Sequence, residues 1–193
     1  MQVDPYSPDE LLAMGVECGK NVRIDRSVVL INPQHIVLGH DVRIDCFCVL
    51  SASSHRIQIG SWVHIACGCY LFGGSGSINI GDFCNLSSRV CLYTANDDYT
   101  GGHLTNPLVP DEFRDVQEGS VTLQNHVIIG SGSVVLPDVS FGLGASVGAL
   151  SLVKDDVREF DIVGGTPARI VGRRGRELLE LEKKVRQRYA EES

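Results

Sequence analysis

The chain has 193 residues, 43% of them hydrophobic and 21% charged, with a formal net charge of −7. That composition excludes a disordered chain, and a domain of this length folds without disulfide or metal staples. The acidic balance argues against a nucleic-acid partner, and no apolar run reaches the ~18 residues a membrane span requires. The opening MQVDPYSPDE has no apolar core of the kind a secretory signal carries. With seven cysteines, an odd number, the expectation is a reduced, cytoplasmic protein. Basic residues concentrate at the end. Residues 1–168 hold 9 basic and 19 acidic side chains, and residues 169–193 hold 8 and 5.

Residues 1–21 read as an N-terminal helical cap. Ser7-Pro8-Asp9-Glu10 is a capping box with Pro at the first helical position, and Gly15 is placed to stop the helix. From there to residue 160 a six-residue period takes over. Its anchors are Ile24, Leu30, Leu38, Ile44, Leu50, Ile59, Ile65, Leu71, Ile80, Leu86, Leu92, Leu123, Ile129, Val135, Phe141, Val147 and Val153. Four residues after most anchors the side chain is small or β-branched, as at Val42, Cys48, Cys69, Cys84, Ala145 and Ser151, and the residue just after an anchor is often Gly. Six is no multiple of 3.6, so this is no helix repeat. A short strand followed by a corner fits it, and three such units close one triangular coil. Extra residues fall at His55-Arg56 and Gly74-Ser75-Gly76. The C-x-C pairs Cys46/Cys48 and Cys67/Cys69 have a plain account as repeat positions, since free cysteine is a good small filler.

Leu92 and Leu123 are 31 residues apart and the interval does not keep the period. Residues 94–120 therefore leave the coil as one long polar loop containing Tyr99, Leu104, Leu108, Val109 and Phe113. Loops of that length in compact domains are usually functional or disordered. After the last coils, residues 161–193 hold GGTPARIVG and then a helical spacing of Leu178, Leu181 and Val185.

The repeat over about residues 22–154 resembles the hexapeptide-repeat family of acyltransferases. The stretch IGDFCNLSSRVCLYTANDDYT, the coils from VTLQNHVIIG onward and GGTPARIVG resemble its sugar O-acetyltransferases. The resemblance implies an all-β fold, a left-handed parallel β-helix flanked by a short N-terminal and a C-terminal helix. It implies a homotrimer, with acetyl-CoA as cosubstrate and no metal. The implied reaction is transfer of an acetyl group to a hydroxyl of a sugar or glycan precursor, by general-base-assisted attack on the thioester. The family's loop histidine falls on Asp97 here, so the base is sought among His64, Asp97 and His103. Asn96, Asp98 and Tyr99 are the expected acceptor-binding residues. The resemblance lays coenzyme A along Ser131, Gly148, Ala149, Lys154, Thr166, Pro167 and Arg169. The main rival acceptor is the amine of a nucleotide-linked amino sugar. A non-catalytic assembly module and a γ-carbonic-anhydrase-type metalloenzyme are the other readings; the latter would start from His35 and His40 but lacks a third histidine two coils on.

Overall fold

The computed structural model describes residues 5–192. Strands of two to four residues stack in parallel into three sheets that form the faces of a triangular solenoid of about seven turns. The first sheet runs Glu17–Cys18, Ile36–Leu38, Ile57–Ile59, Ile78–Ile80, Val121–Leu123, Val139–Phe141. The second runs Arg23–Ile24, Arg43–Ile44, His64–Ile65, Asn85–Leu86, Ile128–Ile129, Ser146–Val147, Asp161–Gly164, and Arg169–Arg173 folds back antiparallel at its end. The third runs Val29–Ile31, Val49–Ala52, Tyr70–Gly73, Cys91–Tyr93, Val134–Val135, Leu152–Val153. The first rung begins at Glu17 and the last parallel strand ends at Gly164, so the coils extend a few residues beyond each end of the repeat.

Every anchor is buried except Leu30, which is half-buried in the first coil. Burying such a side chain contributes roughly 1.5–3 kcal/mol, so the stacked anchors carry most of the stability. The small positions point inward too. Cys48, Cys69 and Cys84 are buried, and their thiols donate to the carbonyls of Ala66, Ser87 and Gln124 at 3.1–3.2 Å. Burial pushes the Cys84 thiol up to about 12. These are packing groups, as the repeat register predicts.

The corners explain the period. Three residues after an anchor the backbone enters the left-handed region, at Asp41, Phe47, Trp62, Phe83, Arg89, His126, Asp138 and Leu150, with glycine at Gly68, Gly132 and Gly144. One left-handed residue per hexad turns the chain sharply enough to start the next face. The glycines just after anchors serve a different purpose. A Cβ on Gly81 would lie 2.8 Å from the Asn125 nitrogen of the next coil, so only glycine lets the corners stack at strand spacing.

At the N-terminus Ser7 and Glu10 cap each other's backbone, and helix α1 (Pro8–Ala13) closes the first coil with Leu11. At the other end helix α2 (Leu178–Glu192) turns back along the edge between the first and second sheets. Glu182 meets His126 at 2.6 Å, and Arg186 bonds Asp82 at 2.7 Å while lying over the Trp62 and Phe83 rings. Tyr189 stacks on His40. Burial opposes ionisation of Asp82, but the Arg186 hydrogen bond prevails and holds its carboxyl below the usual range. Among the described residues no helix is long and apolar enough to cross a membrane.

Replacing Gly81 by Ala tests the stacking constraint. Overpacking against backbone costs about 1–3 kcal/mol, which lowers Tm by several degrees in a domain of this size. Thermal unfolding by circular dichroism reads this, and an unchanged Tm would show that the corner yields.

Candidate active site

The long loop interrupts the edge between the third and first sheets. Its base is closed by Gly119 N–H donating to the Thr94 carbonyl at 3.0 Å, and the buried Thr94 hydroxyl donates to the Phe72 carbonyl at 2.8 Å. Above the base, Ala95–Asp97 pairs antiparallel with Val116–Glu118. This ribbon was not legible in the sequence, since neither arm carries an alternating pattern.

Asp98 organises the loop tip. One carboxylate oxygen accepts from Thr100 N–H and Thr100 Oγ1, each at 2.7 Å, and the other from the N–H groups of Gly102 and His103 at 3.1 Å. The Thr100 hydrogen bonds above all hold its pKa down to about 2. Both oxygens are thus engaged inside the loop, and Asp98 at the same time lines the cavity beside it. His103 is tethered to the same carboxylate, with Nδ1 3.3 Å from Asp98 and 4.0 Å from Asp115. Tyr99 stands 84% exposed, and Leu104, Leu108 and Phe113 are exposed as well, so the loop's apolar side chains do not dock on their own coil.

A cavity of about 510 Å³ opens between the ribbon and the tip, lined by Asn96, Asp97, Asp98, Tyr99, Thr100, Asp115 and Gln117. Its lining is acidic and amidic, with no basic group. Asp97 lies at its centre of interest. Its buried Oδ1 accepts no hydrogen bond, and the nearest cation, Arg114 Nη2, stands 3.9 Å away. Arg114 is turned toward Asp111, at 3.2 Å, and leaves its own buried Nε without a partner. Arg114, Asp115 and Gln117 were missed because they come from the return arm, whose partner cannot be read without the ribbon.

His64 is elsewhere. It sits on the second sheet, the face opposite the edge that bears the loop, so a single chain does not bring it to Asp97. Of the three candidate bases, only Asp97 and His103 therefore share the loop of one chain. Nε2 is 2.9 Å from Asp45 and Nδ1 is 2.9 Å from Asn85. Burial disfavours the Asp45 carboxylate, but hydrogen bonds from His64 and Arg43 hold its pKa below the ordinary value. Asn85 was within reach of the sequence, because it occupies the same hexad slot as His64 one coil later.

The residues expected along coenzyme A fall in two places. Ser131, Gly148, Ala149, Thr166 and Pro167 line the edge between the second and third sheets. There Leu150 N–H donates to the Ser131 carbonyl at 2.9 Å and Thr166 Oγ1 to the Leu150 carbonyl at 3.3 Å. Lys154 and Arg169 share a cavity of about 180 Å³ at the C-terminal end of the solenoid, with Val153, Ala168 and Ile170. Each cation lies 3.8 Å from Asp155. Small side chains along an edge and two cations at its end suit a long thin cosubstrate with terminal phosphates.

No protein-family model matches the chain. It is 42% identical, over 90% of both chains, to the dTDP-4-amino-4,6-dideoxy-D-glucose acyltransferase of Escherichia coli. AntD, an N-acyltransferase from Bacillus cereus, is solved in complex with dTDP-4-amino-4,6-dideoxyglucose and coenzyme A. It superposes with a TM-score of 0.93 at 39% identity, over 97% of this chain and 99% of that one. A maltose O-acetyltransferase from Clostridium difficile shares only the fold, with a TM-score of 0.59 at 20% identity over 91% of this chain. The chain therefore belongs to the hexapeptide-repeat acyltransferases, and its acyl donor is a coenzyme A thioester.

The loop network yields a pH prediction. Asp98 has a depressed pKa, so the order it gives the loop is complete above the usual carboxylate pKa of ~4 and is lost as pH falls through about 2. Asp98→Ala removes that order at neutral pH. Limited proteolysis should then cut within residues 98–114 much faster than in the wild type, with Tm nearly unchanged. Equal cleavage rates would contradict the role.

Proposed function

We propose that the protein N-acylates the amine of a nucleotide-linked amino sugar. The observation that carries this is Asp97, a carboxylate where the sugar O-acetyltransferase pattern has histidine, facing an acidic cavity with one oxygen unpartnered. A sugar hydroxyl needs a base active near neutrality as it attacks. An amine arrives as an ammonium ion, which an acidic cavity attracts and which gives up its proton far more readily. Asp97 takes one proton from the ammonium. The neutral amine then attacks the thioester carbonyl, and the C–S bond breaks as the tetrahedral intermediate collapses. A second amine proton leaves with the thiolate as the thiol of coenzyme A, and Asp97 returns its proton to water. No enzyme-bound acyl group forms, and no cysteine lines the cavity that holds Asp97. The relatives from Escherichia coli and Bacillus cereus, named for a dTDP-linked amino sugar and for N-acylation, support the amine over the hydroxyl acceptor. Free thiols throughout suit a reducing cytoplasm, and the product class, an N-acylated nucleotide sugar, suits glycan assembly.

The same reading makes the enzyme a homotrimer. The outward side of the third sheet is mostly apolar, with Val29, Ile31, Val49, Tyr70, Phe72, Tyr93, Val134 and Leu152 beside Ser51, whereas the first sheet presents Glu17, Gln58, Asn79, Thr122 and Ser140 beside Val37. Tyr70, Phe72 and Tyr93 stack across three strands there. Closing three chains on this face sets the loop edge of one subunit against the edge between the second and third sheets of the next. The neighbour then supplies the Ser131–Ala149–Thr166 edge and the Asp45–His64–Asn85 group that one chain keeps away from its own loop. In that assembly His64 is a positioning residue beside the acceptor.

Asp97→Asn should lower kcat with acetyl-CoA and dTDP-4-amino-4,6-dideoxyglucose by about 100-fold or more, with coenzyme A affinity unchanged by calorimetry. Undiminished kcat would remove Asp97 from the chemistry. Phe72→Asp places a charge in the proposed interface. It should give monomers by light scattering and lose turnover together with assembly, and an intact trimer with full turnover would put the interface elsewhere.

A further inference from the structure

The edge between the second and third sheets continues below the level of the loop, and there it changes character. The left-handed corner position on successive coils is held by Phe47, Gly68, Arg89, Gly132 and Leu150. Gly132 is covered by Leu150, whose Cδ2 lies 2.9 Å from where a Cβ would stand. Gly68 is covered in the same way by the stem of Arg89, with Cγ 3.5 Å from its virtual Cβ. Arg89 thus lies back along the edge toward the N-terminal coils. Its guanidinium has no hydrogen-bond or ion-pair partner among the described residues, although the chain is acidic. One coil below Gly68, Phe47 is 69% exposed in a left-handed conformation that a bulky residue rarely adopts. Its backbone N–H is fixed by Ser27 Oγ at 2.9 Å, so the ring is held out from the edge. Asp45, two residues before Phe47, is already engaged by Arg43 at 2.7 Å and His64 at 2.9 Å.

We infer that Arg89 and Phe47 form the subsite for the nucleoside diphosphate half of the acceptor. The inference rests on the nucleotide-linked acceptor proposed above. It adds a direction, with donor and acceptor lying end to end on one edge. Coenzyme A occupies the C-terminal coils, where Ser131, Ala149 and Thr166 make a smooth track. The acceptor's reacting amine lies at the level of the loop, and the rest of it extends over the N-terminal coils. Phe47 and Arg89 are two coils apart, about 10 Å at strand spacing, and Gly68 leaves the edge between them without a side chain of its own. A guanidinium matches the diphosphate oxygens, and the exposed ring gives the base a stacking surface. An acidic cavity for the ammonium and a free cation for the diphosphate also orient the acceptor, since reversing it would set like charges together.

The test is calorimetric titration of dTDP into the wild-type protein and into Phe47→Ala, Phe47→Trp and Arg89→Gln, with coenzyme A titrated into each as a control. Both positions are exposed, so the variants should fold, and light scattering checks their assembly. Phe47→Ala should weaken dTDP about tenfold or more, the range of one lost base stack, while Phe47→Trp retains it. Arg89→Gln should weaken dTDP and flatten its salt dependence, with coenzyme A binding unchanged throughout. Wild-type affinity in both Phe47→Ala and Arg89→Gln overturns the subsite, and so does a wild type that binds coenzyme A but not dTDP. Turnover of dTDP-4-amino-4,6-dideoxyglucose separates the two readings. Loss of dTDP affinity in the variants of a protein that cannot acylate this sugar leaves the subsite standing and removes the N-acylation. Acylation with unaltered dTDP affinity in the variants does the reverse.

Discussion

Everything in this molecule depends on the corner. A strand of two or three residues gains little by itself, and only stacking on identical neighbours makes it stable. Stacking requires that each coil turn at the same place with the same geometry, which a left-handed residue three positions after the anchor provides at nearly every corner leaving the first and second sheets. Where that residue is bulky, as at Trp62 and Phe83, the unfavourable backbone is offset by what the side chain does. The Trp62 and Phe83 rings stack 4.6 Å apart, and Phe83 stacks on His126 at 5.0 Å, so this edge is an aromatic column that receives Arg186. The three edges have thus become different objects. One carries the C-terminal helix, one the loop, and one the track assigned above to the two substrates.

The helix changes the mechanics of the solenoid. Coils of a repeat protein ordinarily touch only their neighbours, so each can loosen locally. Here Tyr189, Arg186 and Glu182 reach four successive levels of the same edge, from His40 through Trp62 and Asp82 to His126. Middle coils cannot separate without breaking this strap. That rigidity is useful in a protein whose site is assembled from edges rather than enclosed in a cleft.

The sequence made the coils legible because period and burial coincide. Each anchor and each inward small residue reports its own position, and the free cysteines fit without any special chemistry. The capping box at Ser7 was legible for the same reason, being local. The site was legible only in part. Asp97 was singled out because the resemblance sets the family's loop histidine there, and Asn85, which was not singled out, shares the slot of His64. The placement of His64 on the opposite face was not anticipated, since residue spacing gives the level along the axis and leaves the route between edges to the assembly. The turn that Asp98 builds was not separable in the sequence from acceptor binding, because Asx-turn chemistry and ligand binding use the same residue type. Arg114 and Gln117 needed the antiparallel ribbon before they had any neighbours at all.

The way the loop is attached has an evolutionary consequence. Its two ends, Thr94 and Gly119, are joined by a main-chain hydrogen bond, and the strands on either side keep their places in the coil. From the solenoid's side, the 24 intervening residues are a closed cassette. Substitution, lengthening or replacement of that cassette leaves the stacking register untouched. The acceptor side of the enzyme is therefore free to diversify while the donor side stays under the strict geometry of the coils, so a lineage built on this scaffold can change what it modifies without relearning how to fold.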